Sequence, residues 1–281
     1  MFLLEPNHFM PFSVNDEFEG PQMHLIANLS MMFQEVAMPQ RVQAARDAGF
    51  AGVEIQFPET GALEEIKAAS LRCDMPVTLI NVPRGTGDAV GLACLPDQED
   101  AYRAAVAICR DNARALGVQK INVLSGRPAK GTPHADSLAT LERNLIYTAE
   151  VMADIDVQVM LEPVNRIDVP GFFVSGLDEG LAVLHAVDHP NLALQFDLYH
   201  MALTEPDLPA AIRRAGARIG HVQFADTRGR HEPGTGTINF AAAFEALRDT
   251  GYDGAVSAEY TPLKTTAEGL GWIKDFKRML T

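Results

Sequence analysis

The sequence predicts an α/β protein built as a single (β/α)8 barrel with a short irregular N-terminal extension, and three observations carry that prediction. Short apolar runs of strand character alternate with helical spacings along the chain, the pattern of parallel strands joined by crossover helices. Four of these runs end on a polar group where a loop begins, at Glu162, Asp197, Gln223 and Glu259. Those four residues stand 35, 26 and 36 positions apart, each close to one strand-plus-helix unit of roughly 30 residues. Parallel strands joined in this way align their carboxyl ends on one face, and in a barrel that face holds the chemistry.

The elements follow in order. Residues 1–23 mix Pro6, Pro11, Pro21, Gly20 and acids with scattered phenylalanines, which suits an irregular extension, and the barrel takes residues 24–281. Residues 25–29 give the first strand, and 39–48 have helical spacing closed by Gly49. Residues 52–57 form the second strand, stopped by Pro58. A helix at 63–70 leads to the third strand at 77–82 and then to a long loop from Pro83 to Leu92. Long loops in compact domains are commonly functional, and this one leaves the chemical face, so it reads as a lid. Its glycines miss the dinucleotide pattern, because Val90 stands where the third glycine is needed. A helix at 97–116, ended by Gly117, feeds the fourth strand at 120–124, and a loop rich in Gly, Pro and Lys runs to His134. Helices at 135–153, 177–187, 208–215 and 240–249 precede the strands that end at Glu162, Asp197, Gln223 and Glu259, and a last helix occupies 268–280. Eight units are counted with no linker between them, so one domain accounts for the chain after its extension.

Composition agrees. At 281 residues the chain has a length that one barrel reaches. A net charge of −14 and a pI of about 4.9 argue against nucleic acid and give no polybasic membrane signal. Cys73, Cys94 and Cys109 are odd in number and form no C-x-x-C pair, which points to free thiols in a reducing cytoplasm. No apolar run approaches the ~20 residues of a membrane span, and the amino terminus lacks a signal pattern, so a cytoplasmic protein is expected.

A single acid at a strand end reads first as a cap for the next helix, as Glu54 or Asp226 would alone. Four such ends on repeating units converge on one site. Glu162, Asp197 and Glu259 with the amide oxygen of Gln223 make an oxygen-rich pocket suited to a hard divalent cation, Mg²⁺ or Mn²⁺. Without a counter-ion, acids so crowded would raise one another's pKa. His200, three residues beyond Asp197, and Arg230, in the loop at 228–236, are further site candidates. Glu54, Asn81 and Arg84 complete the candidate substrate-binding set, whereas His8, His24, His134, His185 and His189 fall in loops or on helices and read as structural.

Several loops carry a resemblance. Asn28-Leu29-Ser30-Met31-Met32-Phe33, Gly91-Leu92-Ala93-Cys94-Leu95-Pro96, Leu161-Glu162-Pro163-Val164-Asn165, Phe196-Asp197-Leu198-Tyr199-His200 and Gly229-Arg230-His231-Glu232-Pro233-Gly234-Thr235-Gly236 resemble the hydroxypyruvate isomerase family, within the wider group of xylose-isomerase-like barrel isomerases and epimerases. The match runs from about residue 25 to the C-terminus. It implies a metal held by Glu162, Asp197, Gln223 and Glu259, with Glu162 and Glu259 also the catalytic acid/base pair and His200 and Arg230 on substrate oxygens. Many relatives in the wider group have histidine where Gln223 stands, and a neutral oxygen donor there favours Mg²⁺ or Mn²⁺. The extension lies outside the family pattern, and the loop at 83–91 varies among relatives.

The resemblance implies reversible conversion of hydroxypyruvate to tartronate semialdehyde through a cis-enediolate, with a small hydroxy- or oxo-acid as the partner and a homo-oligomer as the assembly. Three rivals are weighed. An isomerase or epimerase of a four-carbon oxo-acid or free ketose would use the same residues. A nuclease would need a histidine-rich multi-zinc cluster and a basic groove. A non-catalytic sugar-acid binder has no call for four intact ligands.

Overall fold

The structure, a computed structural model, describes residues 22–280. All but the last two residues of the extension expected over 1–23 therefore lie outside the described residues. Strands β1 (His24–Asn28), β2 (Val53–Ile55), β3 (Val77–Asn81), β4 (Lys120–Leu124), β5 (Gln158–Glu162), β6 (Leu192–Asp197), β7 (Ile219–Phe224) and β8 (Ala255–Ala258) close into a barrel in sequence order. Every pairing is parallel, and β8 returns to β1 through His24 opposite Ala255 and Ala27 opposite Ala258. The crossovers and loops hold α1 (Met38–Asp47), α2 (Leu63–Cys73), α3 (Glu99–Leu116), α4 (His134–Ala153), α5 (Leu177–Val187), α6 (Leu198–Ala202), α7 (Leu208–Ala215), α8 (Phe240–Asp249) and α9 (Ile273–Leu280).

Period-two alternation decides what each strand presents. All six residues of β6 are buried; Leu194 and Phe196 join the core beneath the helices, while Gln195 and Asp197 face the barrel axis. The same offset turns His221 and Gln223 of β7 inward. Nearer the amino ends of the strands, Leu79, Met160 and Ala193 form a small separate apolar cluster. Gly220 makes room for it, since a Cβ there would lie 2.7 Å from that of Ala193 and 2.8 Å from the Met160 sulfur. Apolar packing thus plugs the lower barrel, and polar side chains occupy the end where the chain leaves each strand.

Local chemistry sets the helix ends. Gly117, at φ 71°, ends α3, and the side chains of Asp207 and Asn239 cap α7 and α8 by accepting from the N–H groups of Ala210 and Ala242 at 3.0 and 3.1 Å. The helix read at 268–280 is divided: Ala267–Trp272 is 3₁₀, and only α9 is α-helical. Ile273, Phe276 and Leu280 form the buried stripe of α9. Phe276 meets Phe224, Phe240, Phe244 and Trp272 at centroid distances of 4.7 to 5.1 Å, so this helix seals the side of the barrel where chain end meets chain start.

Candidate active site

Four carboxylates gather at the carboxyl ends of the strands, Glu54, Glu162, Asp197 and Glu259, with relative exposures of 0, 5, 0 and 3%. So many buried acids need donors, and each has at least one, some of them shared. Asn122 Nδ2 donates to Glu162 Oε2 at 2.7 Å. Glu259 Oε1 accepts from Asn28 Nδ2 at 2.9 Å and Gln56 Nε2 at 2.7 Å. Arg230 Nη2 then bridges Glu259 Oε2, at 2.5 Å, and Asp197 Oδ2, at 3.2 Å. Asp197 Oδ1 accepts from the Tyr199 N–H at 2.8 Å, so the last residue of β6 is also the N-cap of α6. That short helix is absent from the sequence-based expectation because no turn residue separates it from the strand.

Burial and mutual repulsion move these groups off their ordinary values. Glu162 is held well above the usual carboxylate range by burial, then by the charges of Glu259 and Asp197. Burial also raises Asp197, against the pull of Arg230. Burial lifts Glu259 to about 7 even with Arg230 beside it. Burial also pushes on Glu54, but hydrogen bonds from His221, Gln223 and Asn28 outweigh it and hold this acid below its ordinary value. Glu54 is the one acid of the set held below its ordinary value, seated among donors at His221 Nε2 (2.8 Å), Gln223 Nε2 (2.6 Å) and Asn28 Nδ2 (2.8 Å). Burial lowers His221 against the pull of Glu54, and Nε2 is the nitrogen that donates to Glu54 Oε2.

His200 has a defined tautomer. The Asn165 side-chain oxygen accepts from the N–H groups of Ile167 and Asp168, at 3.0 and 2.8 Å, so its NH₂ must face His200 Nδ1 at 2.6 Å. Nδ1 accepts, and the proton sits on Nε2, 3.7 Å from Glu162 Oε1 and 3.5 Å from Asp197 Oδ2. Burial, and then Arg230, hold this imidazole well below its ordinary value, so it is a neutral N–H donor aimed into the site.

The side chains of Glu162, Asp197 and His200 bring one atom each within 4.8 Å of the others, a cluster able to hold a metal ion, in which the carboxylates are the ligands and His200, protonated at Nε2, stands beside them as a donor. The donor set fits a cation, because Glu162 and Asp197 are both raised by burial and Arg230 forms an ion pair only with the second. Of the remaining ligands expected from sequence, the Gln223 side-chain oxygen accepts from Gln195 Nε2 at 2.7 Å, and Glu259 is taken up by Arg230, Asn28 and Gln56.

The outer candidates are placed differently. Asn81 ends β3 and is buried, with no hydrogen bond to its amide among the described residues. Arg84 is exposed, its guanidinium 5.4 Å from the Phe57 ring centroid, and Phe57 directly follows the Gln56 that touches Glu259. Asn28, Gln56, Asn122, Asn165, Gln195 and His221 are site residues that the sequence reading does not single out. The available signal is the period-two offset: Gln195 and His221 stand two residues before Asp197 and Gln223 in otherwise apolar runs.

A closed parallel barrel with buried acids converging at its carboxyl end defines a TIM-barrel enzyme. The model of the xylose isomerase-like TIM barrel family matches residues 42–276. Hydroxypyruvate isomerase of Escherichia coli is 38% identical over 253 residues, covering 89% of this chain and 98% of that protein. The 2-oxo-tetronate isomerase of Cupriavidus necator is 37% identical over 252 residues, covering 89% and 97%. A crystal structure of an AP endonuclease, family 2, from Brucella melitensis superposes with a TM-score of 0.87 at 32% identity, covering 90% of this chain and 99% of its own. The chain belongs to the xylose isomerase-like TIM barrel family, and it is an isomerase.

Proposed function

We propose that this isomerase interconverts hydroxypyruvate and tartronate semialdehyde with the help of Mg²⁺ or Mn²⁺, Glu162 and Glu259 moving the carbon-bound proton. The observation that carries the reading is the pair itself: two buried glutamates, one ending β5 and one just beyond β8, on strands three apart on the ring, both held above the ordinary carboxylate range. An acid raised to about 7 can give and take a proton near neutrality. One glutamate removes the proton from C3 of hydroxypyruvate, the electron pair forms a cis-enediolate, and the other protonates C2, while the hydroxyl proton passes from O3 to O2. Such proton transfer is worth roughly 10²–10⁴-fold. His200 Nε2–H supports the developing oxyanion, and Arg230 or Arg84 meets the substrate carboxylate, for which a planar guanidinium is well shaped. A cation held by Glu162 and Asp197 would stabilise the negative charge that builds on the substrate oxygens, and Gln223 and Glu259 would serve as further ligands on exchanging their bonds to Gln195 and Arg230 for it.

The nuclease reading falls on charge and donors: the chain carries a net charge of −14, and the metal-ligating cluster contains one histidine. A four-carbon oxo-acid remains the second reading, favoured by the likeness to 2-oxo-tetronate isomerase.

The test is proton NMR in D₂O on metal-stripped protein with Mg²⁺ or Mn²⁺ restored and hydroxypyruvate added. Tartronate semialdehyde and deuterium at carbon should both build up, only with the ion present, and Glu259→Gln should abolish both. A Glu259→Gln protein turning over at near the normal rate would overturn the acid/base assignment. No product and no exchange from the wild-type protein would overturn the substrate, and 2-oxo-tetronate would be tried next.

A further inference from the structure

Asp226 begins the loop that carries Arg230, and its carboxylate is wholly engaged by that loop's backbone. Oδ1 accepts the N–H groups of Thr227 and Ile238 at 2.9 and 3.1 Å, and Oδ2 those of Gly234 and Gly236 at 2.8 and 3.0 Å. The residue is buried and makes no ion pair among the described residues, so four peptide dipoles from one loop surround a single side chain. Its own N–H donates to the carbonyl of His231 at 2.9 Å, fastening the middle of the loop back to its start. The coil is too tight for a side chain at its crossing point, where a Cβ on Gly236 would lie 1.6 Å from the Thr227 carbonyl oxygen and 2.6 Å from Asp226 Oδ1.

Arg230 sits inside this coil with a left-handed backbone, φ 59°, following Gly229 at φ 110°. An arginine holds such a conformation only where its surroundings impose it. The conformation turns the guanidinium inward onto Asp197 and Glu259, and the Arg230 carbonyl accepts from the Thr261 N–H at 2.9 Å just beyond β8. We infer that Asp226 is a positioning residue of the active site: it sets the loop conformation that delivers the Arg230 guanidinium between the two carboxylates. This deepens the proposed function, since it rests on Arg230 acting within that site. An asparagine at 226 keeps one acceptor atom but turns an NH₂ toward two of the four N–H groups, so the coil opens on that side.

The experiment compares D226N, R230A and the double variant with the wild-type protein on hydroxypyruvate, and follows the buried Arg230 Nε–H resonance, identified by its loss in R230K. D226N should lose at least tenfold in kcat/KM and lose that resonance while keeping its melting transition, and the double variant should lie within twofold of R230A. Losses that multiply in the double variant, or an unchanged resonance in D226N, overturn the inference. Should D226N fail to fold, G236A, which forces the same coil open while leaving the Asp226 side chain chemically unchanged, must reproduce the loss of the resonance for the inference to survive. If the wild-type protein proves inactive on hydroxypyruvate and 2-oxo-tetronate, the proposed reaction fails, and the resonance alone decides the positioning role.

Discussion

Where the proton sits on His200 is decided by an amide and not by the histidine. Asn165 has its oxygen fixed by two backbone N–H groups, and its NH₂ is shared between His200 Nδ1 at 2.6 Å and Asp168 Oδ2 at 3.0 Å. Replacing it by aspartate keeps the first pair of bonds, reverses the one to His200, and sets two carboxylate oxygens against each other at Asp168. The new oxygen accepts, draws the imidazole proton to Nδ1, and leaves a bare Nε2 facing Glu162 and Asp197. Asn165→Asp is expected to invert the tautomer, read from the ¹⁵N shifts of the ring, and to lower kcat/KM by about 10–100-fold, the usual scale for partners that orient site residues. Unchanged nitrogen shifts would show that His200 is oriented by its pocket alone.

At the scale of elements, the aromatic cluster around Phe276 and the carboxylate site are built from opposite faces of the same strands. Phe224 of β7 enters the cluster one residue after Gln223 enters the site. Phe276→Ala should destabilise the fold by about 3–5 kcal/mol, as large buried aromatics do. It should leave KM for the acid substrate unchanged below the melting transition, because among the described residues the hydrogen bonds of the site carboxylates come from the strands, the residues just beyond them and Arg230, and Phe276 packs on the aromatic cluster; a rise in KM at full folding would contradict this separation. The same division explains what was legible in the sequence. Helices α5, α7 and α8 carry their own spacing and caps, so their bounds at 177–187, 208–215 and 240–249 follow from the chain alone. Glu162, Asp197, Gln223 and Glu259 are legible because a polar residue ending an apolar run is conspicuous. Asn28, Asn122 and Asn165 are not, since a lone asparagine near a strand end looks like any turn former, and only the closed barrel brings Asn28 to Glu259, 231 positions away. Asp226 reads locally as a cap, and its four backbone partners become visible only when the loop after it is coiled in three dimensions.

For the whole molecule, the gathering of buried acids makes stability depend on pH in a direction opposite to ordinary acid denaturation. Glu259 has an ordinary value of 4.5 and is raised to about 7 in the fold, chiefly by burial, so the folded protein binds its proton more tightly than the unfolded chain does. The stability this contributes is complete below about 4.5 and is lost as pH rises through about 7. Glu162 and Asp197 are raised as well and act in the same sense, whereas Glu54 is lowered and costs stability only as pH falls through its own depressed value. Metal-stripped protein should therefore melt at progressively lower temperature across the window from about 4.5 to about 7. A divalent cation that binds the ionised carboxylates adds stability by mass action, and adds more as protons leave, so Mg²⁺ or Mn²⁺ should flatten or reverse that slope. Glu259→Gln removes one of the contributing groups and should make the metal-free slope shallower. Calorimetric melts across this range, with chelator and with each ion, would decide the matter: a metal-free melting temperature that climbs steadily toward neutrality would mean that Arg230 alone satisfies the cluster and that these carboxylates need no further cation.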